Sequence, residues 1–188
     1  MKKLLFSLTI LLLSVLVGFA QATFKPAIGM SFNDFSSVEG GETKAKVGAN
    51  IGASIAFGKK FYVEPGVFYT SKSTEFTLKE NPETPNLNAT IQGIRVPVAV
   101  GVGVLGNEDS FITLRAFGGG SGFFVTGTGK DLKKDDTESP TWGVFAGAGF
   151  DFWIAFVEAS YEWSLNNSLK NIEVGNSRSF FVTLGLKF

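Results

Sequence analysis

From about Thr23 onward, apolar and small or polar residues alternate with a period of two in eight separate stretches. The first, from about Thr23 to Asn33, carries Phe24, Pro26, Ile28, Met30 and Phe32 on one face. The second (Ala45 to Phe57) carries Val47, Ala49, Ile51, Ala53, Ile55 and Phe57, and the third (Phe61 to Thr74) Phe61, Val63, Pro65, Val67 and Tyr69. The fourth (Thr90 to Leu105) runs Ile94, Val96, Val98, Val100, Val102, Val104. The fifth (Phe111 to Thr126) starts Ile112, Leu114, Ala116 and blurs at Gly118-Gly119-Gly120. The sixth (Thr141 to Phe152) and seventh (Ile154 to Leu165) carry Trp142, Val144, Phe150 and Phe152, then Val157, Tyr161, Trp163 and Leu165. The eighth, Ser179 to Phe188, gives Phe180, Val182, Leu184, Leu186 and Phe188. Residues two apart share one face of a strand, so the pattern predicts eight half-coated strands and no helix in this region.

No charge falls on these apolar faces. The opposite faces hold glycine, alanine, serine and asparagine together with Lys25, Glu64, Lys72, Arg95, Arg115, Asp151, Glu158, Glu162 and Lys187. Connections alternate too. Long polar stretches (Asp34 to Lys44, Leu78 to Ala89, Gly127 to Pro140, Asn166 to Arg178) follow the odd strands, and short turns at Gly58-Lys59-Lys60, Gly106 to Ser110 and Trp153 follow the even ones. Long loops at one end and short turns at the other mark an up-and-down antiparallel meander, and closure removes its edges. The lumen of an eight-stranded barrel just fits packed side chains. It has room for the small and charged set rather than for this many Phe, Val, Leu and Ile. The apolar face therefore points outward, into lipid.

The expected fold is all-β: an eight-stranded antiparallel up-and-down transmembrane β-barrel. Aromatic residues at the strand ends fit two interfacial girdles: Phe24, Phe57, Phe61, Phe152 and Phe188 toward the short turns, Phe32, Tyr69, Trp142, Tyr161 and Trp163 toward the long loops. Two prolines, Pro65 and Pro97, lie inside strands, where each removes a ladder donor and predicts a bulge or a missing bond. The run Gly118 to Gly122 predicts a weakly specified register in the fifth strand.

Ahead of the strands, Met1-Lys2-Lys3 precedes the apolar run Leu4 to Val17, and Gly18-Phe19-Ala20 places small residues for a cut before Gln21. This reads as a cleaved signal peptide, residues 1–20, ahead of a barrel domain, residues 21–188. The run is short for a spanning helix, and no Cys follows the cut to carry a lipid. The whole chain balances 17 basic against 17 acidic side chains, and loss of Lys2 and Lys3 leaves the barrel slightly acidic. That balance argues against a nucleic-acid surface.

Among 188 residues there is no Cys and no His. Disulfides, thiolate nucleophiles and zinc ribbons are thereby excluded, and a serine nucleophile lacks its usual base. A non-enzymatic protein with no cofactor and no metal is expected. Asp135, Asp136 and Glu138 lack the spacing of a calcium loop. Placed by depth from the short-turn end, the inward charges fall into two tiers: Glu64, Arg115 and Glu158 near that end, Lys72, Arg95 and Glu162 deeper. They predict a lumenal charge network.

Several short stretches carry a resemblance: Val63-Glu64-Pro65-Gly66-Val67-Phe68-Tyr69, Ile94-Arg95-Val96-Pro97-Val98, Ala116-Phe117-Gly118, Gly143 to Gly149, Tyr161-Glu162-Trp163 and the closing Phe181 to Phe188. On these the chain resembles the small Bacteroidetes-type outer-membrane β-barrel proteins of the PorT-like, outer membrane protein beta-barrel domain family. Members usually carry Pro-Glu in the third strand, where this chain has Glu64-Pro65. The resemblance implies the fold and the cell outer membrane of a Gram-negative envelope, and no particular activity. Phe180, Val182, Leu184, Leu186 and Phe188 resemble the C-terminal signal by which barrel-assembly machinery captures its substrates. The expected partners are outer-membrane lipid, that machinery during insertion and an extracellular partner at the long loops, with the barrel a monomer. Two alternatives to a structural or surface-interaction role are a narrow passive pore gated by lumenal ion pairs and a soluble periplasmic barrel holding an apolar ligand.

Overall fold

The computed structural model describes residues 22–35, 41–45, 47–78, 87–106, 110–128, 139–165 and 177–188. The expected signal peptide, most of the four long loops and the acidic trio Asp135, Asp136 and Glu138 lie outside them. Nine strands form one sheet: β1 (Ala22–Phe35), β2 (Gly41–Ala45), β3 (Val47–Phe57), β4 (Phe61–Leu78), β5 (Leu87–Leu105), β6 (Ile112–Thr128), β7 (Thr141–Phe152), β8 (Ala155–Ser164) and β9 (Ser177–Leu186). Every pairing is antiparallel. β1 pairs with β3, each later strand with its successor, and β9 returns to β1, so eight strands close into a barrel. β2 is the extra strand, a five-residue piece laid on the far end of β4.

Closure satisfies the backbone. Within lipid an unpaired N–H or C=O has no water to turn to, and a barrel has no edge to leave unpaired. At the seam, Phe24 and Phe188 exchange both backbone hydrogen bonds, at 2.8 and 2.9 Å. No helix of the described residues is long and apolar enough to cross a membrane; the crossing is made by strands. β4 and β5, with 18 and 19 residues, exceed the ~9–11 residues a tilted transmembrane strand needs. Both strands therefore run beyond that length at the long-loop end: the third strand, expected to end at Thr74, continues to Leu78, and the fourth, expected to begin at Thr90, begins at Leu87.

The parity of all eight barrel strands follows the sequence pattern. Ile28, Val67 and Leu184 stand 61%, 56% and 57% exposed on the outside, while the neighbouring Lys25, Glu64 and Thr183 are buried in the lumen. A soluble barrel holding an apolar ligand would show the reverse.

The prolines act as ladder interruptions rather than bulges. Pairing of β3 with β4 skips Pro65 and resumes in the same register, and pairing of β4 with β5 skips Pro97 likewise. Each proline keeps its other neighbour, Val98 for Pro65 and Ser121 for Pro97. Pro26 does the same on the seam: β1 pairs with β9 from Ala27 onward, and the same register resumes beyond the proline at Phe24 and Phe188. The register shifts lie elsewhere, between β5 and β6: opposite Gln92/Gly93, where Thr126 of β6 is the extra residue, and at Gly103/Leu105, where Val104 of β5 is.

The expected uncertainty at Gly118–Gly122 is corrected. This run pairs without a break to β5 on one side and to β7 on the other. Inward Phe117 and buried Phe123 bracket the glycines and hold the parity through them.

Candidate functional site: the lumen

The lower tier lies toward the short turns. Lys25 on β1, 1% exposed, donates from Nζ to both oxygens of Glu64 at 2.8 Å and to Oε1 of Glu158 at 2.7 Å. Ser54 donates a further hydrogen bond to Glu64 at 2.6 Å. Arg115 on β6 grips Asp151 through Nε and Nη2, donates to Glu158 from Nη2 at 2.8 Å, and donates from Nη1 to the Tyr62 hydroxyl at 3.1 Å. Lys187 reaches Asp151 at 3.0 Å. Three cations thus face three carboxylates. Such pairs are withdrawn from bulk water, and each charge persists there because its partners and extra donors replace hydration.

The upper tier is smaller. Arg95 donates to Oε2 of Glu162 from Nη2 at 2.6 Å and from Nε at 2.8 Å, and Ser121 adds a third donor at 2.8 Å. Lys72 stands 3.7 Å from the other Glu162 oxygen. Above it, Ser31, Asn33 and Ser179 form an uncharged chain, with Ser179 donating to Asn33 at 2.8 Å. Between the tiers remains a void of only about 50 Å3, lined by Asn50, Ser54, Arg95, Glu158 and inward aromatic rings.

Glu64, Arg115 and Glu158 lie in the lower ion-paired group, and Lys72, Arg95 and Glu162 in the upper one. Lys25, Asp151 and Lys187 complete the lower tier and were missed as members. Their inward parity was visible, but pairing across strands depends on stagger that spacing alone does not reveal.

The larger omission is aromatic. Tyr62, Phe68, Phe117, Phe123, Phe145, Phe156 and Phe181 all point inward, against the expectation of a small and charged filling. Most lie flat against a glycine on a neighbouring strand. Tyr62 faces Gly101, Phe68 faces Gly52, Phe117 faces Gly147 and Phe156 faces Gly185, each a direct register pair. A Cβ on any of these glycines would run into the ring. The aromatic covers the bare glycine backbone, and the glycine leaves the ring somewhere to lie. These pairs account for part of the high glycine content. The rings also hold the cations: Phe156 lies 4.4 Å from Lys25 Nζ, and Phe181 lies 4.6 Å from the Arg95 guanidinium.

On the outside, Phe24, Phe61, Tyr69, Trp142, Phe152 and Trp163 are exposed, and Phe57 and Tyr161 half-buried. All but Tyr69, which lies midway along β4, stand toward the strand ends, several in tilted or edge-on pairs. Trp142 meets Phe124 at 6.4 Å, Tyr161 meets Trp163 at 4.8 Å, and Phe152 meets Phe111 at 4.6 Å. Phe180, Leu184, Leu186 and Phe188 form an exposed row along the last strand, with Val182 half-buried in it.

A closed eight-stranded barrel with this outer coat can be compared with known proteins. The sequence profile of the outer membrane protein beta-barrel domain matches residues 12–170. The chain belongs to this family. It is an integral barrel of the outer membrane. The match is to the outer membrane protein beta-barrel domain family as a whole and does not single out its PorT-like members. No curated protein matches the chain. Among solved structures, the outer membrane protein OprG from Pseudomonas aeruginosa is similar, at 13% identity and TM-score 0.55, over 90% of this chain and 96% of that one. Ail, the attachment invasion locus protein of Yersinia pestis, solved with the heparin analogue sucrose octasulfate, is similar at 14% identity and TM-score 0.50, over 89% and 99%. At these identities the likeness is one of fold.

Proposed function

We propose that this family member is a non-enzymatic barrel with a closed lumen, whose envelope-structural or surface-interaction role is carried by its four long loops. The observation that supports the closed lumen best is the pair of charge tiers packed among inward aromatic rings, with only a void of about 50 Å3 between them. An ion-paired, ring-packed interior is a structural plug. Loops mounted on so rigid a scaffold are the part free to vary and to recognise. The described residues place no group of three or more His, Cys, Asp or Glu side chains so as to hold a metal ion, and the serines that meet carboxylates, Ser54 at Glu64 and Ser121 at Glu162, are buried inside the ion-paired tiers. The last strand, ending Leu184, Leu186, Phe188, is read as the strand that assembly machinery recognises by edge pairing.

Liposome swelling tests the closed lumen. Vesicles carrying the refolded barrel should swell in small-sugar solutions no faster than empty vesicles. Swelling that falls with solute size would instead favour a narrow pore.

A further inference from the structure

At the short-turn end the lumen opens into a vestibule of about 300 Å3 below the lower tier. Its wall carries Lys25, Lys59, Lys60, Arg115 and Lys187, against Asp151 as the acidic side chain of the described lining. Three of these cations are matched by the carboxylates of the lower tier. Lys59 and Lys60 are exposed and form no ion pair among the described residues; Glu108 and Asp109 of the neighbouring turn fall outside them. Among the described residues, the vestibule therefore carries two positive side chains, Lys59 and Lys60, beyond those its own ion pairs neutralise. We propose that it is a binding site for a phosphate group carried on a small molecule or a lipid head.

Two surplus cations suit a phosphomonoester, which carries close to two negative charges at neutral pH. The volume admits a phosphate with a small substituent and excludes a polymer. Lys59 and Lys60 act as mobile point charges at the mouth, and the closed tier behind them forms a floor that the ligand cannot pass. The rim is apolar. Trp153 and Ile154 line the vestibule and are also exposed to the outside, 65% and 40%, and Phe61, Phe111 and Phe188 continue the girdle beside them. Trp153 sits at φ 52°, in a turn position where glycine is usual. Backbone strain of this kind persists where the surroundings hold it, and here it keeps an indole on the vestibule rim. By the usual orientation of such barrels, short turns face the periplasm, so the mouth opens at the level of the inner-leaflet headgroups. Free phosphoester and phospholipid headgroup share the same chemistry, and the rim adds a place for acyl chains.

The full barrel refolded in maltoside micelles, free of phosphate, is titrated with inorganic phosphate and separately with dihexanoyl phosphatidic acid, following the Trp153 indole N–H by NMR at constant ionic strength. Saturable shifts are expected with both. Tighter binding of the short-chain lipid identifies a headgroup site, and equal affinity a soluble phosphoester site. Lys59→Glu with Lys60→Glu should weaken binding at least about tenfold, the loss expected from reversing two short-range charge contacts, while heat-modifiable gel migration stays unchanged. Lys59→Gln with Lys60→Gln, which leaves the turn uncharged, should weaken it less. Absence of a saturable shift with either probe, or wild-type affinity in the folded Gln and Glu variants, overturns the proposal.

Discussion

The lumen is held by residues that depend on one another. Lys25 satisfies Glu64 and Glu158 at once, so Lys25→Met leaves two buried carboxylates short of a partner. Removing one member of a buried pair costs about 3–5 kcal/mol, and urea unfolding in micelles should show a loss of that order. Adding Glu64→Gln to Lys25→Met should restore part of it, because one orphan charge is gone; a purely steric role for Lys25 would show no recovery. The glycine–ring pairs make a parallel case. Gly101→Ala places a methyl against the Tyr62 ring, and overpacking of this sort costs about 1–3 kcal/mol. In Tyr62→Ala the same substitution should cost much less. A double-mutant cycle should give a coupling of about 1 kcal/mol or more, where additive effects would deny the pairing.

The strands were legible because lipid imposes a strict period of two on the outer face. Outward parity needs no cross-strand knowledge: on β5, Ile94, Val96 and Val98 declare it alone. The inward rings were not legible for the complementary reason. Phe117 and Phe156 look like any other apolar residues until the register places Gly147 and Gly185 opposite them. The prolines fall between these cases. Their missing donors were foreseeable at Pro65 and Pro97 and passed over at Pro26, yet which neighbour loses its bond depends on the direction the absent N–H would have faced. Each interruption is local, so hydrogen exchange should be faster at Ile55, whose N–H faces the Pro65 gap, than at Gly118 to Gly122, which are paired on both sides. Amide exchange by NMR checks this, and equal protection would mean that the gap carries no cost. At the last strand, Phe188→Ala with Leu186→Ser should lower the amount inserted in cells while leaving refolding into micelles intact, if this row serves as the assembly signal. Equal insertion would reduce it to a lipid-facing surface.

At the scale of the whole molecule, one distribution explains the composition: apolar residues on the outside, glycine and rings in the wall, charges in two ion-paired tiers. The family and the outer membrane follow from the sequence profile and the closed barrel together. The central functional claim is that the lumen is shut. Arg95 and Glu162 form the upper seal at 2.6 Å, and Arg115 with Asp151 and Glu158 forms the lower one at 2.8 Å. Single-channel recording in a planar bilayer tests this most directly, using wild-type protein, Arg95→Ala and Glu162→Ala. The account predicts no discrete conductance from the wild type and none from either single variant, because the lower tier still blocks the lumen. Reproducible wild-type openings whose size or frequency changes in Arg95→Ala or Glu162→Ala would contradict it and make the upper tier a gate.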